Sequence, residues 1–221
     1  MTDTLAIPRS WTFETDEVAA GFDRHVREQL PWYDLASDAA ACLVRHYLGR
    51  GGLVYDLGAS TGNMGRRLAA VVGDRSARFV AIDRSPAMSA VYGGPGKLIV
   101  ADVLDVKLEP FDVAILFLTL QFLDVVARRE LVARLDRLTR PGGAVVVVDK
   151  FAPCAGYAGT AISRLTTAGK VAAGVPASDI VAKELSLAGV QRPLTRGELP
   201  PRARRWMQWS DFRGYLIEGR R

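Results

Sequence analysis

Three acidic residues stand at the ends of three apolar segments, and this arrangement predicts a site for a nucleotide-type ligand. They are Asp56, Asp83 and Asp102. If the apolar segments are parallel strands, their carboxyl ends lie at one edge of a sheet, where open α/β folds bind ligands. A carboxylate there can accept hydrogen bonds from both hydroxyls of a ribose, and Asp83 has the position for this role. We therefore expect the three acids to contact a single ligand.

A glycine-containing loop follows Asp56 and leads into an amphipathic segment. Gly58 and Gly62 permit positive φ and let a ligand approach the main chain closely. The helix expected from Asn63 onwards would offer unpaired N–H groups to an anion. The spacing is Gly-x-x-x-Gly, which departs from the dinucleotide fingerprint Gly-x-Gly-x-x-Gly. This departure argues against a dinucleotide. The site instead resembles those of S-adenosylmethionine-dependent enzymes, which commonly carry an acid at the position of Asp56 for the aminoacyl end, and Asp102 could accept from the adenine amino group.

Strands alternate with helices along the chain, which predicts an α/β fold with a doubly wound, mostly parallel sheet of seven strands. Helices are expected at 16–30, 34–48, 63–72 and 125–138, and a short one after Ser85-Pro86, with Thr15 and Ser85 as N-caps. Strands are expected at 51–56, 78–82, 97–101, 111–118 and 144–148, with an antiparallel pair at 205–209 and 212–217. The pattern predicts a loose leader over residues 1–14. It also predicts a helical lid over 152–190, inserted into a single domain that spans 1–221.

The composition is that of an ordinary globular protein, with 49% apolar and 24% charged residues among 221. This length suits one domain with a large core, and no apolar run reaches the ~20 residues that would span a bilayer. The first ten residues lack the pattern of a secretory signal. Two cysteines without metal-ligand spacing are typical of a reduced protein, so we expect a cytoplasmic location and no metal.

The net charge of +5 is concentrated at one end of the chain. Eight arginines lie between Arg192 and Arg221, against three acids, so this segment accounts for the whole excess. Such a cluster could bind a nucleic acid through its phosphates. Alternatively, the cluster is a solvated face whose arginine stems cover apolar surface, and we slightly favour this second interpretation. A homodimer is also left open.

The motif set as a whole resembles the class I S-adenosylmethionine-dependent methyltransferases over about residues 20–218. The features that carry this resemblance are the three strand-end acids, the loop at Gly58, the Pro141-Gly142-Gly143 turn and the terminal hairpin. Within that class, the chain is most similar to the tRNA carboxy-S-adenosylmethionine synthases. The matching segments are 54–58, 81–88, 118–123, Lys150-Phe151 and Trp206-x-Gln208, together with Phe22-Asp23 and Pro31-x-Tyr33.

That family moves a carboxylate from prephenate onto S-adenosylmethionine. The resemblance implies cofactor contacts at Tyr33, Gly58, Ala59, Ser60, Asp83, Arg84, Asp102 and Val103. The family's Asn in the fourth strand corresponds to Phe117, which we still expect to contact the cofactor. Its Lys-Arg pair, whose Arg holds the transferred carboxylate, corresponds to Lys183-Glu184. Because Glu cannot replace a bidentate Arg, we expect this chain to bind ordinary S-adenosylmethionine.

Methyl transfer needs an aligned nucleophile more than acid–base help, so a catalytic residue is not required by the chemistry. Tyr33 is the catalytic candidate, with an ordinary buried aromatic as the alternative. His25 and His46 are expected to be surface or satisfied histidines. Gln121 and Asp124 either meet the substrate or are capping or surface groups.

We expect a methyltransferase acting on a small molecule. The alternatives are a carboxy-S-adenosylmethionine synthase that serves tRNA wobble-uridine modification, and a non-catalytic subunit that binds cofactor or nucleic acid.

Overall fold

The computed structural model describes residues 5–220 and contains one seven-stranded sheet with helices on both faces. The strands are β1 Leu53–Leu57, β2 Arg78–Asp83, β3 Leu98–Val100, β4 Phe111–Phe117, β5 Thr139–Lys150, β6 Arg204–Trp209 and β7 Phe212–Glu218. The helices are α1 Asp16–Gln29, α2 Tyr33–Tyr47, α3 Asn63–Asp74, α4 Pro86–Ala90, α5 Val125–Leu138, α6 Gly156–Ala172 and α7 Ala177–Ser186. Two short 3₁₀ turns lie at Leu120–Phe122 and Arg196–Glu198.

The strand order is β3-β2-β1-β4-β5-β7-β6. The first five strands pair in parallel, whereas β7 runs antiparallel to both of its neighbours. The order reverses direction between β1 and β4, and this switch point is where ligands enter doubly wound sheets. The predicted fold class is therefore confirmed, including the antiparallel terminal hairpin.

Helix starts follow from capping side chains. The Thr15 hydroxyl accepts from the N–H of Val18 at 3.4 Å, and the Ser85 hydroxyl accepts from the N–H of Met88 at 3.1 Å. Asp124 caps α5 by accepting from the N–H of Val126 at 2.8 Å. Each cap satisfies a donor that the first helical turn leaves open. The predicted caps at Thr15 and Ser85 are confirmed.

The core lies in two layers, one on each face of the sheet. Alternate residues of β4 supply both layers, since Val113 and Ile115 pack towards α2 and α3 while Ala114 and Leu116 pack towards α5. A strand buried on both faces shows a continuous apolar run, which explains the sequence pattern of β4. Both faces of the sheet are thereby covered, and the loops at its carboxyl edge start from buried strands.

The predicted element ends agree with the structure within two residues, except at β5. The Pro141-Gly142-Gly143 turn was expected before a strand that begins at Ala144. Instead β5 begins at Thr139, and its register with β4 shifts across the turn, with Thr139 opposite Phe111 and Ala144 opposite Val113. Gly142 has φ +80°, so the strand absorbs the extra residues as an irregularity rather than ending there.

The prediction of a loose leader is wrong for residues 5–14; residues 1–4 lie outside the described part of the chain. Trp11 is only 4% exposed, and its main-chain N–H donates to the main-chain carbonyl of Ser186 at 2.8 Å. Its ring packs in a cluster that includes Met88 and Leu187. The segment is therefore tied to the end of α7 by apolar burial and a backbone hydrogen bond.

The insertion between β5 and β6 forms the two helices α6 and α7, as predicted. Thr166 on α6 donates to the Ser210 hydroxyl at 2.8 Å, and Ser163 donates to Asp211 at 3.0 Å. These bonds fasten α6 to the turn between β6 and β7. Within residues 5–220, none of the helices combines the length and apolarity that crossing a bilayer requires.

Candidate functional site

A cavity opens at the carboxyl edge of the sheet, at the switch point between β1 and β4. It is also walled by α1, α2, α6, α7 and the segment before α1. The structure brings almost all of the predicted site residues to this one cavity. They are Tyr33, Asp56, Gly58, Ala59, Ser60, Asp83, Arg84, Asp102, Val103 and Phe117.

The loop after β1 requires glycine at its first turn. Gly58 has φ +80°, and a Cβ there would lie 2.5 Å from the hydroxyl oxygen of Thr119. The N–H groups of Gly58 and Ala59 donate to the carbonyl of Ile82 at 2.8 and 3.0 Å, which holds the loop against β2. A main chain bent in this way presents its backbone to the cavity.

Gly62 does not line the cavity. It has φ +89° and caps α3, and a Cβ there would lie 2.6 Å from the backbone nitrogen of Gly94. Glycine is therefore required here for packing against the loop after α4. Its predicted cofactor contact gains no support from this placement.

Asp83 is oriented by the main chain around it. One carboxylate oxygen accepts from the N–H of Ser60 at 2.8 Å and the other from the N–H of Ser85 at 3.0 Å. Burial raises the pKa of Asp83, and these hydrogen bonds oppose that rise. A carboxylate has about four lone-pair positions. Two remain to accept hydroxyl groups from a ligand.

Asp56 is an unpaired carboxyl in the interior. It is 2% exposed, and its Oδ2 has no hydrogen-bond partner among the described residues. Burial, with the charge of Asp83 adding to it, raises the pKa of Asp56 to about 7. Because a buried charge without a partner is costly, this carboxyl fits a ligand that brings a cation, such as the ammonium of an amino acid moiety.

The other predicted contacts lie along the cavity rim and floor. Asp102 accepts from the N–H of Leu104 at 2.9 Å, and Val103 beside it is buried. Arg84 is exposed and forms an ion pair with Glu14 at 3.5 Å, so its guanidinium is directed partly to the segment before α1. An acidic acceptor next to an apolar surface suits an adenine ring and its amino group.

Tyr33 and Phe117 meet edge to face, with ring centroids 5.4 Å apart and planes at 82°. Tyr33 is 5% exposed, and burial raises the pKa of its hydroxyl, with Asp23 adding to the rise. The hydroxyl therefore stays protonated and can donate a hydrogen bond or orient a ligand. It is poorly suited to act as a base.

Sequence reasoning missed several polar residues that line the cavity. His25 was expected at the surface or satisfied, yet it is 5% exposed and its Nε2 has no partner among residues 5–220. Gln29 Oε1 shares this property, and so does Oε1 of Gln121, which the sequence had already indicated as a possible substrate contact. The four-residue spacing of His25 and Gln29 places both on one face of α1, and this was the available signal. Asp124 instead caps α5, which was the alternative given for it.

The insertion contributes charged groups to the same cavity. Lys170 and Lys183 are 5% and 8% exposed, and Lys170 pairs with Glu184 at 3.2 Å. The Lys183 ammonium lies over the ring of Trp11. Burial and the charge of Lys170 lower the pKa of Lys183 to about 6. The carboxylate of Glu184 is thus already engaged by a lysine.

Comparison with known proteins agrees with this geometry. Residues 54–143 match the family described as "Methyltransferase domain", a segment that runs from β1 through the site loops into β5. Over residues 54–143 the chain therefore has the sequence of a methyltransferase domain. The predicted class is thereby confirmed, and the cofactor of this class, S-adenosylmethionine, agrees with the predicted one.

Two curated relatives are carboxy-S-adenosyl-L-methionine synthases. The protein from Staphylococcus epidermidis is 25% identical over 222 residues, covering 95% of this chain and 97% of the relative. The protein from Yersinia pestis (strain Pestoides F) is 30% identical over 150 residues, covering 64% of this chain and 56% of the relative. The chain thus matches little more than half of the length of the second relative.

Two solved structures share the fold. Human N-acetylserotonin methyltransferase, in complex with S-adenosylmethionine, aligns over 94% of this chain and 58% of its own, with 12% identity and a TM-score of 0.58. CalO1, a methyltransferase in calicheamicin biosynthesis in its SAH-bound form, aligns over 92% and 58%, with 17% identity and a TM-score of 0.57. At such identities the likeness shows the fold alone.

Several of the arginines between Arg192 and Arg220 have intramolecular partners. Arg202 and Arg220 both reach Asp136. Arg196 donates to four backbone carbonyls, and the guanidinium of Arg213 lies 5.3 Å from the ring of Phe151. Arg221, counted in the cluster, lies outside the described residues. These contacts support the structural interpretation of the cluster, and binding to nucleic acid stays a prediction.

Among residues 5–220, no group of three or more His, Cys, Asp or Glu side chains is arranged to hold a metal ion.

Proposed function

We propose that this protein transfers a methyl group from S-adenosylmethionine to a small organic acceptor. The observation that carries the proposal is the unpaired carboxyl of Asp56, buried beside the bent loop at Gly58 and the oriented carboxylate of Asp83. A ligand in which an amino acid moiety is joined to a nucleoside supplies partners for Asp56, for the loop at Gly58 and for Asp83. S-adenosylmethionine, when bound, supplies a methyl group on a positively charged sulfur.

The roles of the chain's residues follow from their positions. Asp83 would accept from the ribose hydroxyls and Asp56 from the ammonium of the methionine moiety. Asp102 and Val103 would hold the adenine, with the backbone of residues 58–60 beneath the nucleoside. Tyr33 and Phe117 close the cavity near the methionine end and exclude water. Orientation of two reactants in a dry site can contribute about 7–11 kcal/mol to a displacement of this kind.

Ordinary S-adenosylmethionine suits the cavity better than its carboxylated form. Phe117 offers no polar group at its position, and Glu184 presents a carboxylate that Lys170 already neutralises. A carboxylate on the methyl carbon would therefore compete with Glu184 for the donors of Lys170.

The enclosure of the cavity supports a small acceptor. Helices α6 and α7 cover it from one side and the segment before α1 from another, so we propose that the insertion 152–190 acts as a lid. The free cysteines Cys42 and Cys154 support our further proposal that the protein works in the cytoplasm.

Mass spectrometry of the nucleoside that co-purifies with the protein tests the assignment. We expect S-adenosylmethionine or its demethylated product. The carboxylated cofactor would instead favour carboxy-S-adenosylmethionine synthesis, the second candidate, which the similarity to the Staphylococcus epidermidis protein supports. If S-adenosylmethionine binds but broad acceptor pools draw no methyl from it, a non-catalytic binding role is favoured.

A further inference from the structure

One wall of the cavity is aromatic and carries an imidazole. The His25 ring stacks on Trp11, with centroids 5.2 Å apart and planes at 21°. Phe13 meets Trp11 edge-on at 5.9 Å and Phe122 at 5.0 Å. All four side chains line the cavity. Walls of this kind bind flat, aromatic ligands, because ring edges and faces pack against one another favourably.

The imidazole is buried with a free ring nitrogen. Its Nε2 has no hydrogen-bond partner among the described residues, and neither has Oε1 of Gln29, one helical turn later. Native proteins rarely leave such atoms unpaired. Because both side chains line the cavity, the partner they lack is expected to be a polar group on a ligand that also touches the aromatic wall.

The charges around His25 favour its neutral form. Burial, together with Lys183 and Lys170, lowers the pKa of His25 to about 4. Nε2 can therefore accept a proton or a hydrogen bond at neutral pH. Glu184, paired with Lys170, is the acidic side chain of the insertion that lines this cavity.

We propose that the acceptor is an aromatic molecule with a hydroxyl group, and that Nε2 of His25 accepts the proton of this hydroxyl. The inference rests on the proposed function. The hydroxyl oxygen forms a bond to the methyl carbon, the carbon–sulfur bond breaks, and its electron pair stays on sulfur. The hydroxyl proton moves to Nε2, so the positive charge lost from sulfur is replaced by one on the imidazolium.

The chain has two histidines, which makes the proposal testable by nitrogen-15 NMR of histidine-labelled protein. His46 is exposed and serves as the internal control. Protein saturated with S-adenosylhomocysteine is titrated with 4-methylphenol and, separately, with its methyl ether, which lacks the hydroxyl. We expect 4-methylphenol to shift the Nε2 signal of His25 and leave His46 unchanged, and the ether to leave Nε2 nearly unchanged.

His25→Phe provides the matched variant, because it keeps a ring on Trp11 and removes the nitrogen. We expect it to weaken 4-methylphenol binding about tenfold while changing the affinities of the ether and of S-adenosylhomocysteine less than twofold. Failure of 4-methylphenol to bind the wild type, an unmoved Nε2 signal, or equal losses for phenol and ether would overturn the proposal. Failure of the wild type to bind S-adenosylhomocysteine would contradict the proposed function instead.

Discussion

Replacing Asp56 by Asn should stabilise the empty protein and weaken its binding of S-adenosylmethionine. Burial raises the pKa of Asp56 from its ordinary value of 3.8 to about 7. At about 1.36 kcal/mol per pKa unit, this rise corresponds to a destabilisation of roughly 4 kcal/mol when the carboxyl is ionised. That figure is an upper bound, because relaxation and water entry reduce the cost of a buried charge.

The sign of the effect defines a pH window. Since the folded protein binds the proton more tightly than the unfolded chain does, the penalty is absent below about pH 4 and complete above about pH 7. The wild type should thus lose stability across this interval relative to Asp56→Asn. An ammonium group bound beside Asp56 lowers the pKa of this carboxyl, because it favours the ionised form. S-adenosylmethionine binding near pH 6 should therefore release protons.

Two measurements check this reasoning. Urea unfolding at pH 4, 6 and 8 should give a difference in unfolding free energy between Asp56→Asn and wild type that grows from near zero to a few kcal/mol. Calorimetry in buffers of different ionisation enthalpy should detect proton release on S-adenosylmethionine binding by the wild type and not by the variant. A variant that is destabilised at pH 8, or that binds the cofactor as tightly as the wild type, would refute the role given to Asp56.

Three further substitutions test other parts of the structure. Asp83→Ala should weaken S-adenosylmethionine binding by roughly 1.5–3 kcal/mol in calorimetry, since hydrogen bonds to a charged group are lost; unchanged affinity would contradict the ribose assignment. Gly58→Ala should lower both cofactor affinity and thermal stability, because φ is +80° there and the added Cβ would clash. Arg128→Ala should destabilise the fold by about 3–5 kcal/mol in urea unfolding, because it strands the carboxylate of Glu198, 3% exposed, without its partner.

The half of the cavity that we propose binds the cofactor could be predicted from the sequence, because it is built from short contiguous motifs. Asp56 and Gly58 lie two residues apart, and Asp83 follows a strand whose apolar pattern is plain. Once parallel strands are expected, their carboxyl ends must meet at one edge, so the positions of these residues follow from topology. The role of Gly62 was harder to predict, because a glycine needed for helix packing has the same local sequence pattern as one that faces a ligand.

The other half of the cavity could not be predicted, because it is assembled from distant segments. Trp11, His25 and Lys183 come from three separate parts of the chain and meet only through tertiary packing. The segment before α1 shows neither the helical nor the strand periodicity that would indicate burial, although Trp11 and Phe13 are apolar enough to pack. A histidine on an amphipathic helix is usually a surface residue, and only the neighbouring chain segments leave His25 buried with a free nitrogen.

The acceptor side of the cavity could change without a change in the cofactor side. The residues that we propose bind the cofactor lie at the carboxyl edge of the sheet, so substitutions there would weaken cofactor binding. The wall formed by Trp11, Phe13 and His25 is attached to the fold through the segment before α1 and through α7. Changes in that wall can alter the acceptor while leaving the carboxyl edge of the sheet intact. Acceptor identity should therefore depend on residues 5–29 and 152–190. Replacing these segments with those of another methyltransferase should change which acceptor is used and should leave the affinity for S-adenosylmethionine largely unchanged.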